Sequence, residues 1–313
     1  MAAPSPPCAI RSIANRAEPE FAPDVPHFPL APAPGDPENP SSTMSHPRLA
    51  FLGAGNLASA IVGGLLAKKV CAPADLACTS KTGGTAQALA AATGIAHEPD
   101  LARLLGPADI VVVAFKPQSL AAADPRLAGL TAGKLVISLL AGKTLATLAR
   151  SFPRARNLVR TMPNTPAAIG AGMTTYTTLA PLASSDRKTV ESLLDALGQY
   201  LEVDEKYLDA LTAIGGSGPA FLFEFVAGLR EAGVAAGLPR EMAAKVAVET
   251  ALGAARLLAR SSETPESLRD RVTSPNGSTF AGLQVLAARQ FRETLKETIL
   301  ASTRRAGELS RDS

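Results

Sequence analysis

The sequence predicts an α/β fold for the first half of the chain and an all-α domain for the second, on three observations. Short apolar runs, "RLAFL", "DLACT", "DIVVVAF" and "KLVISLL", recur between Arg48 and Leu140, separated by stretches that can form helices or connections. This is the spacing of a parallel sheet with crossovers. A glycine turn, Gly53 to Gly55, joins the first run directly to a helical pattern. Beyond about Leu208 the β-type runs give way to long segments rich in Ala and Leu, which read as helices. At 313 residues the chain has room for both halves. Three segments are expected: a disordered extension over 1–46, a sheet domain over 47–206 and a helical domain over 207–313.

The extension, "MAAPSPPCAIRSIANRAEPEFAPDVPHFPLAPAPGDPENPSS", is crowded with proline and follows neither a helical nor an alternating pattern, so nothing in it can build a core. It lacks the apolar core of a secretory signal, and its five acids against two arginines argue against a transit peptide. An ordinary domain start follows at Met44, "MSHPRLAFLGAG". Composition excludes several function classes. A net charge of +3, from 31 basic and 28 acidic residues mixed along the chain, offers no basic stripe for nucleic acid. Cys8, Cys71 and Cys78 are odd in number, without CxxC or neighbouring histidines, so no disulfide framework and no metal site is expected. A reducing cytoplasm fits that usage. The apolar runs fall far short of the ~20 residues of a membrane span, and no membrane is expected.

The first strand, "RLAFL", runs into GxGxxA. Gly53 permits the tight turn, Gly55 lets a diphosphate approach the backbone, and small Ala58 lets a helix starting near Asn56 pack on the strand with its N-terminus toward the anion. The bland reading is a merely structural glycine turn, but further strands behind it favour a Rossmann dinucleotide site. The second strand ends in Cys78, Thr79, Ser80 and Lys81, where an NAD-preferring site would usually place an acid. Hydroxyls and a cation there can take the 2′-phosphate of NADP instead. NADPH is therefore the expected cofactor, with NADH a possible substitute. "AFKP" leaves the next strand at the edge where cofactors sit, although Lys116-Pro117 also reads as an ordinary strand exit.

Of three histidines, only His97 lies within the folded part, and it reads as a surface loop residue. A histidine-based hydroxy-acid dehydrogenase is thereby disfavoured. So is a lysine-based one, because Leu222 stands where the pattern GxGxxxK counted from Gly216 would need lysine. A cyclic imine explains this poverty of catalytic groups: once its nitrogen is protonated the C=N bond is electrophilic. The enzyme then needs chiefly to orient it and to supply hydrogen bonds. Hydroxyls at helix starts can do so, and they occur at "GGSGPAF" and at "TSPNGSTF", where Pro275 and Gly277 turn the chain and Ser278 or Thr279 begins a helix. Helix capping alone is the simpler account of either motif. Their joint presence behind a dinucleotide turn favours a substrate site.

"FLGAGNLA", "AFKP", "VRTMPNTP", "GGSGPAF" and "DRVTSPNGSTF", in this order and spacing, resemble the pyrroline-5-carboxylate reductase family from Arg48 to about Leu309. The resemblance implies NAD(P)H-dependent reduction of 1-pyrroline-5-carboxylate to L-proline, the last step of proline biosynthesis, and a helical C-terminal domain interleaved with a partner's in a homodimer or a larger ring of dimers. It further implies that Leu52, Gly53, Ala54, Gly55, Asn56 and Leu57 wrap the diphosphate, with Ser80 at the 2′-phosphate. Ala114, Phe115, Lys116 and Pro117 would line the nucleotide, and Leu139, Leu140, Ala141 and Asn164 would approach the nicotinamide. Ser274, Asn276, Gly277, Ser278, Thr279 and Ser217 would bind substrate, Thr279 donating to the ring nitrogen.

Some positions depart from the family pattern. Asn276 replaces the first glycine of the usual SPGG, and asparagine tolerates positive φ better than most residues. Phe221, Gly215 and Thr264 replace a frequent tyrosine, serine and histidine, and Arg271 stands where an uncharged residue is common. Alternatives of the same architecture are imine or carbonyl reductases that act on a six-membered ring imine or on a small 2-keto or 3-hydroxy acid. A non-catalytic NADP sensor would keep "GAGNLA" without reason to keep the hydroxyl loop. The segment 239–261 is apolar around much of its circumference, and four or five such helices cannot bury all their faces against one another. Deleting Met1 to Thr43 should leave melting temperature, assembly and turnover unchanged, and a truncated enzyme of altered size or activity would refute that.

Overall fold

The computed structural model describes residues 47–311. The extension expected over 1–46, and Cys8 with it, lies outside the described residues. One eight-stranded sheet organises the first half: β1 Leu49–Leu52, β2 Leu76–Thr79, β3 Ala96–His97, β4 Ile110–Val113, β5 Leu135–Ser138, β6 Asn157–Met162, β7 Gly172–Thr178 and β8 Gly198–Glu202. Its order is β3-β2-β1-β4-β5-β6-β7-β8. The first six strands are parallel, β7 runs antiparallel to β6, and β8 is parallel to β7. Those six have the doubly wound order of a dinucleotide-binding sheet, whose ligand crevice lies outside the carboxyl ends of the strands. Six helices accompany it: α1 Asn56–Ala67, α2 Gly84–Thr93, α3 Leu101–Leu105, α4 Leu127–Leu130, α5 Leu145–Ser151 and α6 Ser184–Asp195.

Both faces of the central strands are covered, which is why they read as unbroken apolar runs. Alternate residues divide between two cores. Phe51, Val112 and Val159 face one, with Ile61, Leu65 and Leu193; Leu52, Val111 and Leu158 face the other, with Leu148 and Phe152. The strands that sequence reasoning missed lack such runs. β3 has two residues, β7 reads "GMTTYTT" with Thr174, Thr175 and Thr177 buried, and β6 carries a buried Arg160. His97, expected on a surface loop, belongs to β3, and its Nε2 is buried without a hydrogen-bond partner among the described residues. Cys71 and Cys78 are buried thiols, and burial, then the charge of Asp75, pushes Cys71 up to about 11.

The second half contains α7 Leu208–Leu211, a π-helical turn Thr212–Gly216, α8 Gly218–Ala235, α9 Arg240–Arg260, α10 Pro265–Arg271, α11 Ser278–Ala288 and α12 Phe291–Arg311. α8 packs on α9, and α12 packs on α7 and the π-turn. Only Ala243 and Ala247 are fully buried in α8 through α12. Phe223, Phe225, Val246, Val248 and Val285 stand exposed. One helical stretch among the described residues, Glu205–Ala235, is long and apolar enough to cross a membrane by length and composition. It holds no unbroken apolar run of that length, because the cluster Gly215 to Pro219 and the charges of Asp209, Glu224 and Arg230 interrupt it.

Gly198 enters β8 at φ +128°, and a Cβ there would overlap the carbonyl oxygen of Gly172 at the start of β7. Gly198→Ala should destabilise the fold by roughly 2–4 kcal/mol through backbone strain and overpacking. An unchanged denaturation midpoint would show that the β7–β8 edge adapts.

Candidate active site

The carboxyl ends of β1, β2, β4 and β5 meet at one edge. Gly53 has φ +114°, and a Cβ on it would lie 2.6 Å from the backbone of Ala114 and Phe115. The glycine turn is thus pressed against the "AFKP" segment with no room for a side chain. Gly53 N donates to Thr79 O (2.9 Å) and Ala114 N to Leu52 O (2.9 Å). Leu52 and Ala54 are buried, Leu57 half-buried, Gly55 and Asn56 exposed. Gly55 is the N-cap of α1, no side chain caps it, no acid occupies the first turn, and the space where its Cβ would stand is open. Nothing in the chain itself requires glycine at that point. An uncapped helix N-terminus beneath open space is what a diphosphate needs, so these residues fit a dinucleotide.

At the end of β2 the Ser80 hydroxyl accepts from Ala86 N (3.2 Å) at the head of α2. That uses one lone pair and leaves the O–H free to donate. Lys81 is exposed beside it, and no acid stands between Cys78 and Gly84. Ala114 and Phe115 are half-buried, Lys116 is exposed, and Pro117 opens a 3-10 turn. Leu139 N donates to Val113 O (2.9 Å), Leu140 is buried with its N–H on Ser138 Oγ (3.3 Å), and Ala141 is exposed. Cofactor residues expected from four separate stretches therefore share one edge.

Asn164 and Ser217 are held by other parts of the protein. Asn164 Oδ1 accepts from Met173 N (3.1 Å) and its Nδ2 donates to Gly215 O (3.0 Å), tying the "MPNTP" turn to the π-turn. Ser217, at the head of α8, shares a 3.3 Å hydrogen bond with Ser302 of α12.

In the hydroxyl loop, Gly277 N donates to Ser274 O (3.0 Å) and closes the turn, with Asn276 at φ +57° as its chemistry allows. The Ser274 hydroxyl sits where a Cβ on Gly277 would be. α11 starts at Ser278, but its N-cap is Gly277 and no side chain caps it. Ser274, Ser278 and Thr279 are exposed, and among the described residues no hydrogen bond engages their hydroxyls. Capping, the simpler account of this motif, is not what they do. Thr264 by contrast does cap α10, through Ser267 N (3.2 Å). Arg271 is committed to Glu263, whose carboxyl is held below its usual range by the Ser267 hydroxyl and by Arg271. Among the described residues no hydrogen bond or ion pair joins residues 272–280 to the sheet half.

The residues that sequence reasoning missed join the two halves. Arg160, with a side chain 7% exposed, pairs with Glu205 (2.7 Å) and faces Asp209 (3.9 Å), which accepts from Ser310 Oγ of α12 (2.9 Å). A lone charge inside the strand "NLVRTM" was the available signal.

The model of pyrroline-5-carboxylate reductase dimerisation matches residues 205–309, and that of NADP oxidoreductase coenzyme F420-dependent matches residues 48–142. The pyrroline-5-carboxylate reductase of Pseudomonas aeruginosa is 37% identical over 270 residues, covering 85% of this chain and 98% of that one. The enzyme of the same name from Synechocystis sp. is 36% identical over 264 residues, or 84% and 98% of the two chains. Among solved structures, a pyrroline-5-carboxylate reductase from Coxiella burnetii superposes with a TM-score of 0.79 at 31% identity, over 85% of this chain and 99% of that one. Plasmodium falciparum pyrroline carboxylate reductase with NADP bound gives 0.75 at 27%, with the same two coverages. With a dinucleotide edge, a helical second half and relatives above 30% identity along nearly their whole length, this chain belongs to the pyrroline-5-carboxylate reductase family.

Proposed function

We propose that this protein reduces 1-pyrroline-5-carboxylate to L-proline, and that the residues named above divide the work. The observation that carries the reading is the pairing of an uncapped, open α1 N-terminus with the uncommitted hydroxyls at the start of α11. The turn Leu52 to Leu57 wraps the diphosphate at the open N-terminus of α1 and Ser80 reads the 2′-phosphate. Ala114 to Pro117 line the nucleotide, and Leu139 to Ala141 approach the nicotinamide. NADPH, when bound, supplies the hydride. Asn164 acts at the nicotinamide end by fixing the turn it anchors.

Thr279 donates a hydrogen bond to the ring nitrogen and so keeps the C=N carbon electrophilic. Ser274, Ser278 and Ser217 hold the carboxylate and orient the ring, with Asn276 and Gly277 shaping the turn that binds the substrate. The functional division at about 206/207 places cofactor on one side and substrate contacts on the other. The complete site forms on assembly, a reading supported by the match of residues 205–309 to the dimerisation model. The apolar faces of α8, α9 and α11 give the homodimer its interface, and the assembly extends to a ring of dimers in the cytoplasm, away from any membrane.

Two substitutions test the assignment. Ser80→Asp places a carboxylate against the 2′-phosphate, so NADPH use should fall more than NADH use in steady-state assays; equal losses would remove Ser80 from phosphate recognition. Thr279→Val removes a hydroxyl at nearly constant volume. It should cost ~1.5–3 kcal/mol, or roughly one to two decades in kcat/KM for the imine, with NADPH affinity nearly unchanged. A valine enzyme working at the wild-type rate would move the proton donor to water or to the substrate's own iminium.

A further inference from the structure

The nicotinamide-end loop, Leu139 to Thr144, is bonded at its exit to an ion pair whose guanidinium belongs to the register partner of Ser138 at its entrance. At its entrance, Ser138 is the register partner of Arg160 on β6. Thr161 Oγ1 donates to Ser138 O (3.0 Å) there, and Ser138 Oγ accepts from Leu140 N. At its exit the chain turns into α5, whose first N–H groups need acceptors. Thr144 Oγ1 takes Thr147 N (3.2 Å), and Leu145 N donates to Glu205 Oε1 (2.7 Å). The same Glu205 oxygen accepts from Arg160 Nη1 (2.7 Å). One carboxylate oxygen therefore binds the N-terminus of the helix after the loop and the guanidinium beside the strand before it. Between these anchors, the last turn of α12 closes over the loop, with Leu309 3.3 Å from where a Cβ on Gly142 would stand.

We propose that Glu205 is a positioning residue for the reduction: through Leu145 N–H and Arg160 it sets where the loop Leu139–Ala141 presents its backbone to the nicotinamide. The role rests on reading that loop as the nicotinamide end of the cofactor site. Its chemistry is specific to a carboxylate. A neutral acceptor could still serve Leu145 N–H, but only a charge satisfies a guanidinium that is 7% exposed and whose other partner, Asp209, is 3.9 Å away. Without that charge the guanidinium turns to Asp209 and draws it off Ser310, so the loop loses its hold on the α12 side even where a neutral acceptor keeps Leu145 N–H.

The test compares Glu205→Gln with wild type in the full chain, using two nucleotides. NADPH carries the nicotinamide, and 2′-phospho-ADP-ribose shares every other part of it. NADPH should bind about tenfold more weakly to the variant, while 2′-phospho-ADP-ribose binds within about twofold of wild type; kcat should fall by about tenfold or more with the imine KM within about threefold. Glu205→Asp, still charged but one methylene shorter, should show an intermediate loss with the same selectivity for NADPH. If the Gln variant does not fold, the Asp variant is read by the same comparison. Equal weakening of both nucleotides, or a lowered melting temperature with unchanged binding and kcat, would overturn the proposal and leave Glu205 a structural ion-pair partner. The binding comparison holds whichever imine the wild-type enzyme reduces, so a failure on 1-pyrroline-5-carboxylate would count against the substrate and not against Glu205.

Discussion

A guanidinium taken out of water must be met by fixed carboxylates, and Arg160 makes that demand at the point where the two halves of the chain meet. Its partners come from the turn that leaves the sheet, Glu205, and from the first helix beyond it, Asp209. Asp209 passes the constraint on to Ser310 near the C-terminus. A residue near the middle of the sequence, the junction and the last helix are thus bound to one buried charge. Replacing such a pair by apolar side chains can leave stability unchanged, whereas removing one partner is costly. What the pair adds here is geometry, because an apolar contact could slide where these hydrogen bonds cannot.

The same economy governs the nucleotide edge. Its parts are mainly backbone: an uncapped helix start, a glycine turn with no room for a Cβ, and loop N–H groups held by neighbouring strands. Such groups carry no titratable chemistry, so their contribution lies in placement. This agrees with a substrate whose protonated C=N is already electrophilic, for which orientation and one well-placed hydroxyl do most of what an enzyme must do.

How legible this was in the sequence depended on the kind of signal. β1, β2, β4 and β5 were read directly because burial on both faces writes them as apolar runs, and the glycine turn marks its own place between β1 and α1. β7 was not legible, since its buried threonines look like a loop, nor was β3, whose pairing with β2 and not its own composition makes it a strand. The hydroxyl loop is marked by its residue types, and the positive φ of Asn276 agrees with the turn glycine that the resemblance places at that position. Asn164 illustrates the limit: only the resemblance implies a role for it near the cofactor, and nothing in "MPNTP" tells that both ends of its amide are engaged by Met173 and Gly215. Glu205 and Arg160, 45 residues apart, left no local pattern to connect them.

In α8 through α12 only two alanines are fully buried, so this half of the chain has little interior of its own. This region matches a dimerisation model, and a partner that covers these apolar side chains makes apparent stability depend on protein concentration. For a self-associating chain dilution then acts like a mild denaturant, because lowering the concentration removes a surface against which the helices pack.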